Sequence, residues 1–288
     1  MPRLRDLLRQ IVPRSLRNWA RSPSRSLQRA WDALLHATGA DATLELRPGW
    51  HLICHPAVAR AIERPQRNDP AQIRELNGFI TACRPGMLLL DLGAHFGLFS
   101  FAALHFGGPA ARAVAVDPSP DAVGMLALGA RLNGVTQRLT LVQAAVGEQS
   151  GWQEMLPVGV IADGYYITPE ADRVRRDLVR VRVVTVDELA DAFGFRPTHL
   201  KIDVEGAEGS VLRGARRTLS TDPAPTIFLE LHNDMVRRAG ADPLDTVAEL
   251  EQLGYALQTP EGAAMAREAA VAPPIVRLIA SRPSNSRP

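Results

Sequence analysis

The sequence predicts an α/β fold: an open, mostly parallel sheet with helices on both faces. Three observations carry that expectation. Short continuous apolar runs such as MLLLDLG and THLKIDVEG are what strands buried on both faces show. Stretches of helical periodicity separate them, so strand and helix alternate through the middle and end of the chain. The runs close on turn and cap signals, Gly93, Pro120-Asp121 and Asn133-Gly134 among them.

In chain order, residues 1–40 read as one or two short amphipathic helices, with Leu4, Leu7, Leu8 and Ile11 on one face and Pro13 and Pro23 as breaks. Residues 41–70 form a β-hairpin and cap region, because alternating residues flank the Pro48-Gly49 turn in ATLELRPGWHLICHP. The α/β domain spans 71–280. It opens with a helix over 71–83, with Ile73, Leu76, Phe79 and Ile80 on one face. MLLLDLG, ARAVAVD, RLTLVQAAVG, THLKIDVEG and PTIFLELH are its strands. LFSFAALHF, PDAVGMLALGARLNG, VDELADAFG, EGSVLRGARRTLS and PLDTVAELEQLG are its helices. Residues 151–186 interrupt the rhythm with a Gly- and Tyr-containing excursion. It ends in VRVRVVTVD, which alternates as an exposed or edge strand does. Tyr165 and Tyr166 read as surface-hairpin aromatics, with an acceptor pocket as the other use. YALQTP and IVRLIAS have no long helix between them, so an antiparallel pair at one edge is expected. Residues 281–288 read as a disordered tail.

The chain has 288 residues, 46% of them apolar and 22% charged, values that suit a globular protein with a sizeable core. No run reaches the ~18–20 apolar residues that span a bilayer. The basic N-terminus lacks an apolar core and a small-residue cleavage site, so no signal peptide is expected. Cys54 and Cys83 are too few for a disulfide framework and lack a metal-binding spacing. Both are expected as buried small apolar residues in a reducing, cytoplasmic setting. Residues 1–30 hold eight Arg and one Asp, a net +7, and the rest of the chain is net −5. Such an arm suits weak contact with an anionic membrane surface, though a solvated extension is the preferred reading. No basic groove interleaved with aromatics is present, so no nucleic-acid partner is expected. All basic residues but one are Arg; the single lysine is Lys201.

DLGAHFG, residues 91–97, follows a buried strand and opens a helix. Gly93 permits a sharp turn and close backbone approach, and the helix start offers free N–H groups. A dinucleotide turn would read G-x-G-x-x-G, with pyrophosphate on the helix N-terminus. Here the turn is G-x-x-x-G with Asp91 ahead of it. A carboxylate there repels a pyrophosphate but suits an ammonium. Asp117 closes the next strand, ahead of Pro118 and Ser119, where ribose hydroxyls bind in such folds. An adenosine with an amino-acid end and no phosphate is S-adenosylmethionine. The expected cofactor set is Asp91, Gly93, Ala94, His95, Gly97, Asp117, Pro118, Ser119 and Asp203, with Gln143 and Ala144 on the adenine side.

The strand KIDVEG is expected beside the first strand, where chain order reverses and ligands bind. Alternation puts Lys201, Asp203 and Glu205 on one side if the strand runs that far, and Glu230 and His232 on one side of the next. These five are the candidate catalytic set. Two uses follow. His232, Glu205 or Glu230 takes a proton from an acceptor hydroxyl, or a divalent metal held by Asp203, Glu230 and His232 lowers that hydroxyl's pKa. The ligand spacing is not diagnostic, so no metal is assigned. Lys201 is expected as counter-ion to Asp203 or Glu205, with direct contact to the acceptor as the alternative.

LLLDLGAHFGLFS, VAVDPSP, LVQAAVGE, TVDEL, HLKIDVEGAEGSVLRGA and IFLELH, in this order, resemble the FkbM family of S-adenosylmethionine-dependent methyltransferases over roughly residues 70–235. The resemblance implies the Rossmann-like, seven-stranded class I methyltransferase sheet. It also implies methyl transfer to a hydroxyl on a small-molecule, sugar or secondary-metabolite acceptor. Asp91, Gly93, Gly97 and Asp117 would lie in the cofactor site, and Asp203 to Glu205 near the methyl group. The family usually has Asn where this chain has His95, and Glu-Pro where it has Asp117-Pro118. A nicotinamide-dependent oxidoreductase is one alternative, against which the G-x-x-x-G turn argues. A non-catalytic methyltransferase-like binding subunit is another, against which the intact cofactor turn argues.

Overall fold

A computed structural model describes residues 41–155 and 178–282. The arm over 1–40, Tyr165, Tyr166 and the tail beyond Arg282 lie outside the described residues.

Strands β1 (Ala42–Arg47) and β2 (Trp50–Cys54) pair antiparallel across the Pro48-Gly49 turn, as their alternation predicts. Two helices follow, α1 (Pro56–Asn68) and α2 (Pro70–Ala82). The sequence reading does not include α1: Pro65 lies inside it, and proline disfavours helix interiors. Val58, Ala59 and Ile62 nevertheless give it a buried face. Asp69 ends α1 and caps α2, its carboxylate accepting from Ala71 N at 2.9 Å.

Strand and helix then alternate: β3 (Leu88–Leu92), α3 (Leu98–Phe106), β4 (Arg112–Asp117), α4 (Pro120–Leu132) and β5 (Leu139–Gln143). Three short strands come next, β6 (Ala145–Val146), β7 (Gly151–Met155) and β8 (Val179–Val184). After α5 (Val186–Phe193) come β9 (His199–Ile202), α6 (Glu208–Arg213), α7 (Arg216–Leu219) and β10 (Thr226–Leu231). The chain closes with α8 (Asn233–Arg238), α9 (Pro243–Gln252), β11 (Ala256–Gln258), α10 (Arg267–Val271) and β12 (Val276–Ser281). The main sheet has seven strands in the order β11-β12-β10-β9-β3-β4-β5. β12 pairs antiparallel with both neighbours and the other pairings are parallel, so β12 alone runs against the rest. This is the class I methyltransferase type of α/β sheet. Leu76, Phe79, Phe101 and Phe228 help to build the core on one face, and Leu189, Val211, Leu212 and Leu250 on the other.

Four expectations need correction. RLTLVQAAVG is not one strand: it breaks at Ala144, and β6 leaves the main sheet to pair with β8. VRVRVV is no edge strand, because β8 is the middle of a three-stranded sheet β6-β8-β7. Its alternation has the expected cause, buried Val181 and Val183 against exposed Arg180 and Arg182. EGSVLRGARRTLS divides into α6 and α7. β12 reaches Ser281, one residue into the expected tail. Of the cysteines, Cys54 is buried but Cys83 only half-buried; burial pushes both thiols up to about 12, leaving them unreactive.

Arg47 of β1 donates to Asn77 Oδ1 at 2.7 Å, and a second polar contact docks β2. The Asn133 side chain donates to Ile53 O at 2.7 Å and accepts from Ile53 N at 3.0 Å, acting as a further strand for β2. Asn133→Ala removes both bonds and is expected to cost about 1–3 kcal/mol, read by urea denaturation.

Candidate active site

The carboxyl ends of β3, β4 and β9 are stitched into one edge. Gly93 N and Ala94 N both donate to Val116 O, at 2.9 and 3.0 Å, and Asp203 N donates to Leu92 O at 3.0 Å. Gly93 has φ 78°, and a Cβ there would lie 1.8 Å from Asp203 O, so only glycine lets the two turns touch. His95 also sits in the left-handed region, at φ 48°. Asn and His are both enriched there among non-glycine residues, which is a physical reason for the family's usual Asn and this chain's His. His95 N donates to Asp117 Oδ2 and Ser119 N to Asp117 Oδ1, each at 2.8 Å. Asp91 Oδ2 accepts from Ser100 N at 3.0 Å and Ser100 Oγ at 2.6 Å. Both carboxyls are buried, and desolvation raises each to about 6 in spite of these bonds.

A cavity of about 1680 Å³ opens at this edge. Asp91, Gly93, Ala94, His95, Asp117, Pro118 and Ala144 line it, and so do all five candidate catalytic residues. Three sequence-predicted residues lie off its wall. Gly97, at φ 79°, caps α3, and a Cβ there would strike Leu126 at 2.3 Å. Ser119 caps α4, its hydroxyl accepting from Ala122 N at 3.2 Å. Gln143 is exposed at the end of β5. The unexpected α1 supplies another wall, with Arg60, Arg64 and Arg67.

The floor is ionic, and here the sequence reading needs two corrections. Glu205 does not reach the site by strand alternation, because β9 stops at Ile202. A left-handed turn at Glu205, φ 53°, delivers its carboxylate instead. Nor is Asp203 or Glu205 the nearest counter-ion of Lys201. The ammonium lies 2.9 Å from Glu75 Oε1 on α2 and 3.5 Å from Asp203 Oδ2, with the Phe99 ring centroid 4.8 Å away. Arg277 on β12 closes the network, Nε to Glu75 Oε2 at 3.0 Å and Nη2 to Glu230 Oε1 at 2.7 Å. Burial alone would depress the Lys201 pKa, but Glu75, Asp203 and Glu230 reverse that and hold it above its usual value. Glu230 is pushed up, first by burial and then by Asp203.

His232, at the end of β10, faces the same floor. Its Nδ1 is 2.9 Å from Oε1 of Glu208, a fully buried carboxylate that also accepts from Gly206 N. Burial lowers the imidazole pKa, but the Glu208 hydrogen bond and the charges of Asp203 and Glu205 carry it up to about 9. Glu75, Glu208 and Arg277 are absent from the sequence reading. Arg277 had a signal, a charge interrupting the apolar run IVRLIAS. Glu208 stood in KIDVEGAE unremarked. Glu75, between Ile73 and Leu76, had none.

The family model for the methyltransferase FkbM domain matches residues 91–257. This chain belongs to the FkbM methyltransferase family. The family is one of methyltransferases, and it implies S-adenosylmethionine as the methyl donor. It sets aside the nicotinamide-dependent reading. Among curated proteins no match was found. A solved structure of methyltransferase FkbM from Methylobacillus flagellatus KT is 16% identical, with TM-score 0.43 over 76% of this chain and 60% of that one. This FkbM chain thus spans less than two thirds of that structure's length. A precorrin-6y C5,15-methyltransferase from Geobacter metallireducens GS-15 is 16% identical, TM-score 0.43, over 74% of this chain and 88% of that one. A putative rRNA-methylase from Clostridium thermocellum is 10% identical, TM-score 0.46, over 74% and 96%. At these TM-scores the likenesses carry no argument about acceptor or chemistry. Among the described residues no helix is long and apolar enough to cross a membrane.

The slot around Lys201, 1% exposed, is built for a compact ammonium and not a broad guanidinium. Lys201→Arg is expected to lower stability by about 1–3 kcal/mol through overpacking, read as a fall in thermal midpoint. An unchanged midpoint would mean that Arg fits the slot.

Proposed function

We propose that the chain is an S-adenosylmethionine-dependent O-methyltransferase acting on a hydroxyl of a small-molecule or sugar acceptor. The observation that carries this reading is the convergence of Asp203, Glu205, Glu230 and His232 on one cavity floor, beside the glycine turn. A hydroxyl is a poor nucleophile until its proton has somewhere to go, and this floor offers the carboxylate oxygens of Asp203 and Glu205 to receive it.

The residues present fit the cofactor. Asp91 keeps Oδ1 without a hydrogen bond among the described residues, in a cavity wall suited to an ammonium. Gly93 keeps the turn free of side-chain bulk, and Asp117 is held rigid by two backbone N–H groups for ribose hydroxyls. When bound, S-adenosylmethionine supplies a methyl group on a sulfonium: the acceptor O–C bond forms as the C–S bond breaks, and its electron pair returns to sulfur. The protein's remaining task is to hold the acceptor oxygen in line with that bond and take its proton. The α1 wall, with Arg60, Arg64 and Arg67, suits a polar acceptor.

The test is calorimetric titration with S-adenosylhomocysteine, followed by an isotope-labelled methyl assay on a panel of alcohols, sugars and amines. Label on oxygen is expected; label on nitrogen or carbon only would overturn the reading. Asp91→Asn separates binding from folding. The folded Asp91 pKa, about 6, is above its ordinary 3.8. The carboxyl therefore favours folding at low pH, and that contribution is lost as pH rises through about 6. At pH 7.5 the Asn variant still accepts from Ser100 and is expected to be on the order of 1–3 kcal/mol more stable. It should bind S-adenosylhomocysteine at least tenfold more weakly. Unchanged affinity would remove Asp91 from the cofactor site.

A further inference from the structure

We propose that Asp203, Glu205 and His232 form a site for one divalent cation, of manganese or zinc type, on the cavity floor. One ligand atom from each lies within 4.8 Å of the others. His232 Nε2 is 3.4 Å from Glu205 Oε2 and 3.8 Å from Asp203 Oδ1. Two donors on one ion at ~2.1 Å bonds stand about 3.0 Å apart in an octahedral site and about 3.4 Å in a tetrahedral one. The two pairs that include His232 need to close by less than about an ångström, and the widest pair, within 4.8 Å, by up to roughly 2 Å, as an ion would draw them. A mixed set of imidazole and carboxylates suits manganese or zinc better than calcium.

A second observation points the same way. His232 is 4% exposed, and Glu208 holds its Nδ1, which fixes the ring and directs Nε2 at the cavity. Among the described residues Nε2 makes no hydrogen bond; its neighbours are the carboxylates of Glu205, Glu230 and Asp203. A buried carboxylate behind a histidine whose other nitrogen faces a cluster of oxygens is the usual outer support of a metal-binding imidazole. Glu230 also lies near, at 3.7 Å, but Arg277 holds it. The sequence reading assigns no metal, and the ligand set it weighs has Glu230 where this one has Glu205.

Glu75, Asp203 and Glu230 pair with Lys201 or Arg277, while Glu205 and Glu208 stand beside His232, so a divalent ion would sit among carboxyls. The side chains of Asp203 and Glu205 are 31% and 26% exposed, so the ion would keep open positions toward the cavity, as catalytic metal sites do. An acceptor hydroxyl bound there would lose its proton more readily. That use rests on the methyl-transfer reading; the site itself does not.

The probe is Mn²⁺ alone, titrated into the full chain and followed by the electron paramagnetic resonance of the free ion. One saturable site is expected below about 100 µM, displaced by Zn²⁺. Glu205→Gln and His232→Ala should each weaken it at least tenfold, and Glu208→Gln about 10- to 100-fold through the ring. Glu205→Gln alters a partly exposed side chain and keeps the test valid should His232→Ala unfold. Asp91→Asn should leave Mn²⁺ affinity intact while losing S-adenosylhomocysteine. Absence of saturable binding below 1 mM on the order-of-magnitude scale of weak sites, or binding indifferent to Glu205→Gln, would overturn the site. Mn²⁺ binding without any methylated hydroxyl would uphold the site and count against O-methyl transfer. Methylation undiminished in a chelator, without Mn²⁺ binding, would do the reverse.

Discussion

Lys201 puts an ammonium where the carboxyl edge of the sheet is closed to water, and an unpaired charge there would be prohibitively costly. Much of the surrounding arrangement answers that constraint. α2 must dock so that Glu75 reaches the ammonium, and the β9 turn must hold Asp203 close. β12 must pair with β10 in the register that sets Arg277 opposite Glu230. Only then does Arg277 bridge Glu75 and Glu230. Four separate segments are thus fixed relative to one another by one alternating chain of charges. Such networks contribute more to uniqueness of structure than to net stability, since desolvation offsets most of the attraction.

The same edge concentrates other unfavourable features. The only two non-glycine residues with positive φ among the described residues, His95 and Glu205, both line the cavity. Asp91 and Asp117 are buried carboxyls raised to about 6. Strain and misplaced charge of this kind persist where the surrounding fold over-determines them and a ligand relieves them. The cavity is therefore the least relaxed part of a scaffold whose two apolar cores are otherwise conventional.

Much of this was legible in the sequence because it is local. Leu88–Leu92, Arg112–Asp117 and Thr226–Leu231 are strands because continuous apolar residues suit a sheet covered on both faces. Asp91 and Gly93 are adjacent to the strand they terminate, so their placement needed no long-range information. Glu75 and Arg277 were not legible for the opposite reason. They are 202 residues apart, and only the completed sheet brings them together. Glu205 was placed correctly for a wrong reason, since its position depends on a backbone turn that strand alternation cannot foresee. The helix α1 was missed because its proline and its arginines mask a buried face of three small and branched residues.

The stretch that matches the family runs from 91 to 257, yet the nearest counter-ion of its lysine, and the arginine that bridges that counter-ion to Glu230, come from beyond its two ends. Glu75 precedes the match and Arg277 follows it. A fragment cut at the boundaries of the match would be complete as a pattern and short of its nearest counter-charge. It would also lack β12, the strand that separates β10 from β11. The smallest piece of this chain that can stand alone is therefore set at least as much by electroneutrality as by likeness to relatives.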